Sequence, residues 1–497
     1  MYFCLYRTGI GLTRVCTGAD KKQQEARQAG KFSCPANCIR RMILTGGRFM
    51  GEAAKAAKPK YASFNPGPIV RDTGVPGVKL DFNYGVRLAV PMGNYHVRFM
   101  DKDTSTILYD ADASGVIVTS TKKYYVNFRV ELFRDGQLIY THDLELAGKN
   151  VLIKFPVGTL GDIMAWFPYA REFQKKHGCQ VYCSMSEEIA GLLKPAYPEL
   201  KFLPPDRAPE DCYASYYMGI FFPADDRMHQ PTDFRIIGLQ LNIPYILGLD
   251  VVERRPILTP AKERPIAEPY VCIAAQATSQ AKYWNNPRGW IETVAYLKAK
   301  GYRVLCIDKE KCHGAGRRWN LIPYGAEDFT GARPLQERVD VLAHADFFVG
   351  LSSGLAWLAW GAGTPVVLIS GFTLPHNEFY TPYRVINFHV CNGCWTDSSE
   401  EFVHADFAWC PRHENTEREF ECTRFISSGQ VCQHIDRLMA DYALAPKAGK
   451  IREHMAPLPA TEAAVDALHT VTAPAARQPG EKAKAQRQRA KGGKAHE

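Results

Sequence analysis

Val151-Leu152-Ile153-Lys154-Phe155-Pro156-Val157-Gly158-Thr159-Leu160-Gly161-Asp162 is a short apolar run that breaks into a glycine-bearing loop. Helical periodicity follows it to about Lys176. An apolar run of this length, ended by Pro and Gly, reads as a buried strand, and the amphipathic stretch after it reads as a helix. Residues 180–184 predict a further strand, 187–193 a helix and 218–222 another strand. A run of β-α units implies a parallel sheet.

The same grammar restarts at Pro269. Strands are expected at 270–275, 302–308, 346–350 and 365–370, and helices at 289–300, 335–344 and 353–361. Two α/β halves joined by the Pro-containing segment 253–268 imply two Rossmann-like lobes facing a cleft. Glycosyltransferases that bind a sugar nucleotide between lobes use this layout, and on pattern alone dehydrogenase or ligase arrangements fit as well. Upstream, residues 80–146 alternate with period two, as in Tyr95-His96-Val97-Arg98-Phe99, and Gly93-Asn94, Gly115 and Asp135-Gly136 punctuate the runs. This reads as a small antiparallel β domain of roughly five to seven strands.

A chain of 497 residues holds two to four domains. Its net charge of +9 is located in the ends. Residues 1–60 carry a balance of +9 and residues 446–497 a balance of +5, which leaves −5 for the body between them. A mildly acidic body argues against a nucleic-acid interface. The segment 445–497 is rich in Ala, Lys, Gln, Arg, Pro and Gly and buries too little apolar surface to order itself. Residues 1–60 have the same character; Met50 is an alternative start, and the pair Cys34 and Cys38 lacks downstream partners and is read as non-functional. No stretch approaches the roughly 18 apolar residues of a membrane span. Residues 1–20 contain Arg7 and Arg14 but no apolar core of a signal peptide. Fifteen cysteines in that context read as reduced thiols in the cytoplasm.

Four of them form a metal-ligand pattern. Cys391 and Cys394 are separated by two residues, and loops of 15 and 11 residues lead to Cys410 and Cys422. One tight turn presents two thiolates to an ion, and four thiolates at tetrahedral geometry suit zinc or iron. Buried structural cysteines are the alternative. His413 and Cys432 are competing ligands, while His229, His376 and His404 are scattered.

Three loops are placed where open α/β sheets bind ligands, beyond the carboxyl ends of strands. In Gly158-Thr159-Leu160-Gly161-Asp162, Asp162 is either a helix cap or a base that takes a proton from an acceptor hydroxyl. The loop is not a GxGxxG fingerprint and lacks the lysine of a P-loop. Thr278, Ser279 and Lys282 follow the strand at 270–275, and hydroxyls with an ammonium suit a departing diphosphate; a solvated loop is the alternative. Ser352, Ser353 and Gly354 open a helix whose amides suit phosphate oxygens, or they are ordinary caps.

Taken together, residues 155–162, Ala281-Lys282-Tyr283-Trp284-Asn285-Asn286, Gly325-Ala326-Glu327-Asp328-Phe329-Thr330-Gly331 and the Cys391-to-Cys422 pattern resemble the bacterial autotransporter heptosyltransferases. These protein O-glycosyltransferases are related to the lipopolysaccharide heptosyltransferases. The resemblance covers about residues 65–438. It implies a GT-B fold, with the β domain at 61–149, an acceptor-side lobe at 150–255, a nucleotide-sugar lobe at 256–375 and a Cys4 segment with a C-terminal helix at 376–444. It implies transfer of heptose from ADP-glycero-manno-heptose to serine hydroxyls of an autotransporter passenger, in the cytoplasm. By that resemblance Asp162 is the base, Lys282 holds the diphosphate, and Thr159, Leu160, Gly161, Gln276 and Thr278 line the donor. Cys391, Cys394, Cys410 and Cys422 hold one structural iron (Fe3+) per subunit, with zinc as the alternative, and the subunits form a twelve-membered ring.

No Asp-x-Asp pair stands near the loops, so a catalytic divalent metal is not expected. A metal-stabilised module without catalysis would lack a functional Asp162. A lipopolysaccharide-directed enzyme would need neither the Cys4 segment nor the β domain. The presence of all three favours a protein O-heptosyltransferase.

Overall fold

The structure is a computed structural model that describes residues 66–155, 159–221 and 227–444. The extensions 1–60 and 445–497, the pair Cys34 and Cys38, Met50 and loop residues 156–158 lie outside the described residues.

The period-two stretch folds into β1 (Lys79–Asn83), β2 (Arg87–Val90), β3 (Tyr95–Asp101), β4 (Thr106–Ala113), β5 (Val116–Thr119), β6 (Phe128–Arg134) and β7 (Gln137–Asp143). Strands β4-β3-β6-β7 form one antiparallel sheet. Its alternation is plain in β3 and β6. Tyr95, Val97 and Phe99, and Phe128, Val130 and Leu132, point into the core, while their neighbours remain partly exposed. Asp135 and Gly136 close the β6–β7 hairpin at φ 48° and 79°, the positive values a type I′ turn demands.

The first α/β lobe runs β8 (Asn150–Lys154), α1 (Leu160–Trp166), α2 (Pro168–His177), β9 (Gln180–Ser184), α3 (Glu187–Leu193), β10 (Lys201–Leu203) and β11 (Cys212–Tyr217). The single helix expected to Lys176 is two, because Pro168 has no N–H to continue the ladder of α1 and starts α2 instead. The strand expected at 218–222 is displaced. It is β11, whose Tyr213, Ala214, Tyr216 and Tyr217 are buried between two partners, and only Met218 adds a last bond, to the Lys154 carbonyl at 2.9 Å. The sheet order is β10-β9-β8-β11-β1-β2-β5. Strand β1 pairs parallel with β11, Phe82 opposite Ala214 and Asn83 opposite Ser215. The sheet of this lobe therefore runs across position 149/150 and takes three strands from the N-terminal stretch.

Two short helices, α4 (Phe234–Ile237) and α5 (Asn242–Leu247), lead to the second lobe. It comprises β12 (Tyr270–Ala274), α6 (Gly289–Ala299), β13 (Arg303–Cys306), the hairpin β14 (Cys312–Ala315) and β15 (Arg318–Leu321), β16 (Glu327–Asp328), α7 (Leu335–Ala343), β17 (Phe348–Leu351), α8 (Gly354–Gly361), β18 (Val366–Ile369) and β19 (Arg384–Val385). A parallel sheet in the order β16-β13-β12-β17-β18-β19 results. The cysteine segment follows with α9 (Glu421–Arg424), then α10 (Ser428–Asp441) returns to the lobe. Its Val431, Ile435, Leu438 and Met439 share a core with Val367, Ile369 and Val385. Ser427 and Gln430 close a capping box at its start.

Both sheets reverse direction beside one central strand. From β8 the chain steps outward to β9 and β10, then returns to β11 on the other side; from β12 it steps to β13 and β16, then returns to β17. Such switch points leave a crevice at the strand ends. Glycines let α1 and α8 meet there. A Cβ on Gly161 would lie 3.0 Å from Trp357 Cδ1 and 3.2 Å from Gly354 Cα, and one on Gly354 would lie 3.1 Å from the Gly161 nitrogen. A third close approach, at Gly371 after β18, seats the cysteine segment, because a Cβ there would be 2.4 Å from the Cys422 carbonyl oxygen.

Gly371→Ala is expected to destabilise the protein by about 1–3 kcal/mol, since backbone lies on the far side of the added methyl. Gly429→Ala, whose Cβ would meet only Ser427 Oγ at 3.7 Å inside α10, is expected to be neutral or stabilising. Thermal melts should place Gly371→Ala below wild type and Gly429→Ala at or above it. Equal melting temperatures would contradict the packing at Gly371.

Candidate active site and metal centre

Thr159 caps α1 and Asp162 occupies its third helical position. The Thr159 N–H and its Oγ1–H both donate to Asp162 Oδ2, each at 2.9 Å. Asp162 thus answers the cap and is not the cap itself. Among the described residues nothing donates to its Oδ1, so one carboxylate oxygen is left for chemistry. Burial pushes the Asp162 carboxyl above the usual carboxylate range, against the pull of the two Thr159 bonds and of the charges of Lys282 and His404. His404 was set among the scattered histidines in the sequence, and only the fold brings it toward this carboxylate.

Lys282 ends the one-turn helix Gln280–Lys282 that follows β12. Its ammonium lies 5.6 Å from the centroid of Phe372 and 5.7 Å from that of Trp395. Among the described residues none accepts a hydrogen bond from it. Burial pushes its pKa down, while the charges of Asp162 and Glu378 oppose that shift. The loop before it is fastened to Asp308, whose carboxylate accepts from the Ala275 N–H at 2.8 Å and the Gln276 N–H at 3.2 Å. Burial raises the Asp308 carboxyl to about 6. The Gln276 side-chain amide donates to the Glu310 carbonyl at 2.6 Å, and Thr278 is exposed.

At the start of α8 the two serines divide their work. Ser352 donates to the Glu378 carboxylate and accepts from Thr373 Oγ1 at 3.2 Å, so its hydroxyl is committed to the fold. Ser353 is the N-cap, and its buried Oγ has no partner among the described residues. Glu378 is itself paired with Arg384 at 2.8 Å and accepts from Asn377 Nδ2 at 3.0 Å. This buried pair escaped the sequence reading, because a Glu and an Arg six positions apart around a loop carry no recognisable spacing. The structure thus gathers Thr159, Leu160, Gly161 and Asp162 with Gly354 at the helix contact, and sets Lys282 within electrostatic reach of Asp162.

Cys391, Cys394, Cys410 and Cys422 are near enough that every pair among the four interacts electrostatically. Burial pushes the Cys394 thiol up to about 12 and that of Cys422 higher still. Arg412 Nη1 lies 3.6 Å from Cys391 Sγ. Among the described residues, the group whose ligand atoms fall within 4.8 Å of one another is Cys391, His413 and Glu421, and the four thiols are more widely spaced than that. The Glu421 carboxylate, however, accepts from the Cys391 N–H at 2.9 Å and is forked by Arg418 at 2.7 and 2.8 Å, which suits a supporting group more than a ligand. Cys432 is elsewhere, on α10 beside Thr293. The four thiols stand within electrostatic reach of one another with a guanidinium beside Cys391, and a thiophilic cation bound among them would hold as thiolates Cys394, Cys410 and Cys422, which burial otherwise keeps protonated.

Comparison with known proteins agrees with this architecture. Residues 74–136 match the family model of the N-terminal domain of glycosyltransferase TibC, and residues 237–404 match that of glycosyltransferase family 9 (heptosyltransferase). The autotransporter heptosyltransferase BAHTCr of Citrobacter rodentium is 52% identical over 379 residues, 76% of this chain and 92% of that protein. TibC of Escherichia coli O78:H11 is 52% identical over 371 residues, 73% of this chain and 90% of TibC. BimC of Burkholderia thailandensis, described as an inactive autotransporter heptosyltransferase, is 41% identical over 361 residues, 72% of this chain and 85% of BimC. A crystal structure of TibC, described as iron-containing and dodecameric, superposes with a TM-score of 0.75 at 50% identity, over 76% of this chain and 100% of the TibC chain. A TibC structure in complex with ADP-D-beta-D-heptose gives a TM-score of 0.74 at 50% identity, over 76% of this chain and 99% of that one. From the antiparallel strands through the two GT-B lobes to the cysteine segment, this chain belongs to the autotransporter heptosyltransferase family.

Proposed function

We propose that this glycosyltransferase moves heptose from ADP-glycero-manno-heptose to serine hydroxyls of an autotransporter passenger, in the cytoplasm, with Asp162 as base. The observation that carries the reading is the pair across the crevice: among the described residues, a carboxylate oxygen that accepts no hydrogen bond and an ammonium that donates none. Asp162 takes the serine proton as Oγ attacks the anomeric carbon from the face opposite ADP. The carbon–oxygen bond to the diphosphate breaks, and its electron pair leaves with ADP. One displacement inverts the anomeric centre. Lys282, Ser353 Oγ and the first amides of α8 receive the charge that grows on the leaving diphosphate, and such pre-placed donors are often the largest catalytic contribution.

The relationship to TibC supports the donor, and the names of BAHTCr and TibC support an autotransporter acceptor. BimC marks the second reading, a family member without activity; an Asp162 oxygen that accepts no hydrogen bond among the described residues favours the active reading. Cys391, Cys394, Cys410 and Cys422 would hold one iron ion per subunit, or zinc, and the metal would supply a structural cross-link. By analogy with the TibC dodecamer the protein assembles as a twelve-subunit ring. Among the described residues no helix is long and apolar enough to cross a membrane. The test is the intact mass of a passenger co-expressed with and without this chain. Increments of one heptose are expected, and an unchanged mass would refute the activity.

Asp162→Asn should abolish transfer while ADP-heptose binding and folding persist, since the amide retains the shape and an acceptor for Thr159. A variant that glycosylates near the wild-type rate would remove Asp162 from the base role. The base must be ionised, so kcat/KM should fall as pH drops through a pKa above the ordinary carboxylate value. An acid limb at or below that value would contradict the desolvated carboxylate.

Lys282→Ala should cost about 2–4 kcal/mol of transition-state stabilisation and weaken donor binding as well. Steady-state kinetics checks it, and unchanged constants would return the lysine to a solvated loop.

Substituting Ser for any of Cys391, Cys394, Cys410 or Cys422 should remove the metal and lower solubility or assembly, whereas Cys432→Ser, Cys272→Ser and Cys306→Ser should not. Elemental analysis of freshly purified protein decides this. A four-thiolate iron centre would also colour the protein, and a zinc centre would not.

A further inference from the structure

We infer that the cysteine segment is also a wall of the donor site, and that Trp395 is the positioning residue that fixes the Lys282 ammonium. The inference rests on Lys282 being the lysine that receives the diphosphate. Trp395 directly follows Cys394, and its ring is pinned on several sides. Its backbone N–H donates to the Phe372 carbonyl at 3.1 Å, and its indole N–H donates to Asn377 Oδ1 at 3.0 Å. The ring packs against Phe372 at 5.8 Å, Phe402 at 5.3 Å and Phe234 at 5.8 Å. The Lys282 ammonium stands 5.7 Å from its centroid and 5.6 Å from that of Phe372, within the range of cation–π attraction. Phe372, Phe402, Trp409 and Phe420 form one cluster with Ala281, the residue before the lysine.

A second clasp lies on the other side of the loop. The Phe407 carbonyl, between Cys394 and Cys410 in sequence, accepts from the Gln280 N–H at 2.8 Å and from Ser279 Oγ at 3.3 Å. The loop that carries Lys282 is thus gripped twice by residues that precede or lie between the thiols. A lysine has four rotatable bonds, and an unanchored ammonium visits many positions. Two aromatic faces hold it over the crevice and leave its N–H donors to an anion, as no hydrogen-bonding partner would.

The test uses metal-loaded protein with metal content measured in each variant. ADP binding is followed by calorimetry and ADP-heptose kinetics by steady state. Trp395→Leu should weaken ADP binding about tenfold with metal content unchanged. Trp395→Phe, which restores an aromatic face, should recover most of that loss. In a Lys282→Ala background Trp395→Leu should cost nothing further, a result that a general packing defect would not produce. If the leucine variant fails to hold metal, Ser279→Ala serves instead, because it removes one of the two bonds of the second clasp and leaves the segment intact; a loss of about threefold, again absent in the Lys282→Ala background, is expected. Full ADP affinity in these variants, or a loss equal in both backgrounds, overturns the inference. ADP affinity unaffected by Lys282→Ala alone would instead overturn the assignment of Lys282 to the diphosphate.

Discussion

The contact between Gly161 and Gly354 sets where everything else in the cleft must stand. Two helices, one from each lobe, approach with their first turns almost backbone to backbone, at a separation that leaves no room for a side chain. Close approach of this kind requires glycine on both sides. Because α1 and α8 each begin at the carboxyl end of a switch-point strand, joining them brings Thr159-Leu160-Gly161-Asp162 against Ser352-Ser353-Gly354. The lobes are not merely neighbours around a crevice. Their relative position is fixed by an atom-scale contact inside the candidate site.

Electrostatics then builds on that contact. Asp162, Lys282, Glu378 and Arg384 bring two negative and two positive groups into a region where water is scarce. Glu378 and Arg384 satisfy each other, with Asn377 and Ser352 completing the carboxylate. Buried pairs are tolerated when geometry and additional hydrogen bonds are good. Among the described residues, one Asp162 oxygen and the Lys282 ammonium have no hydrogen-bonding partner. The contrast between a closed pair and an open pair separates the scaffold from the chemistry.

Much of this was legible where the signal is local. The β-α alternation, the Asp135-Gly136 turn and the Cys391–Cys394 spacing are read within a few residues. Asp162 and Lys282 were reached through loops at strand ends, which sheet topology makes the natural place for ligands. What escaped depended on distant partners. Strand β11 was displaced in the reading because Cys212-Tyr213-Ala214-Ser215-Tyr216-Tyr217 is buried by strands on both sides and not by its own alternation. The break at Pro168 was in plain view and outweighed by the amphipathic pattern around it. His404 reaches Asp162, and Trp395 reaches Lys282, across more than a hundred residues of sequence, while Glu378 meets Arg384 around an irregular loop, and no spacing rule records either.

The parallel register between β1 and β11 has a consequence for how this family can be cut and recombined. The stretch matched to the TibC N-terminal domain, residues 74–136, includes β1, β2 and β5, which are the outer strands of the first lobe's own sheet. Excision at that boundary would strip β11 of a partner along Phe82–Ala214 and Asn83–Ser215 and bare a hydrophobic edge one strand away from the loop that carries Asp162. A chimera that exchanged this module between relatives would therefore import part of the catalytic lobe along with it. In this architecture the front of the chain is inherited with the chemistry and does not behave as a detachable accessory.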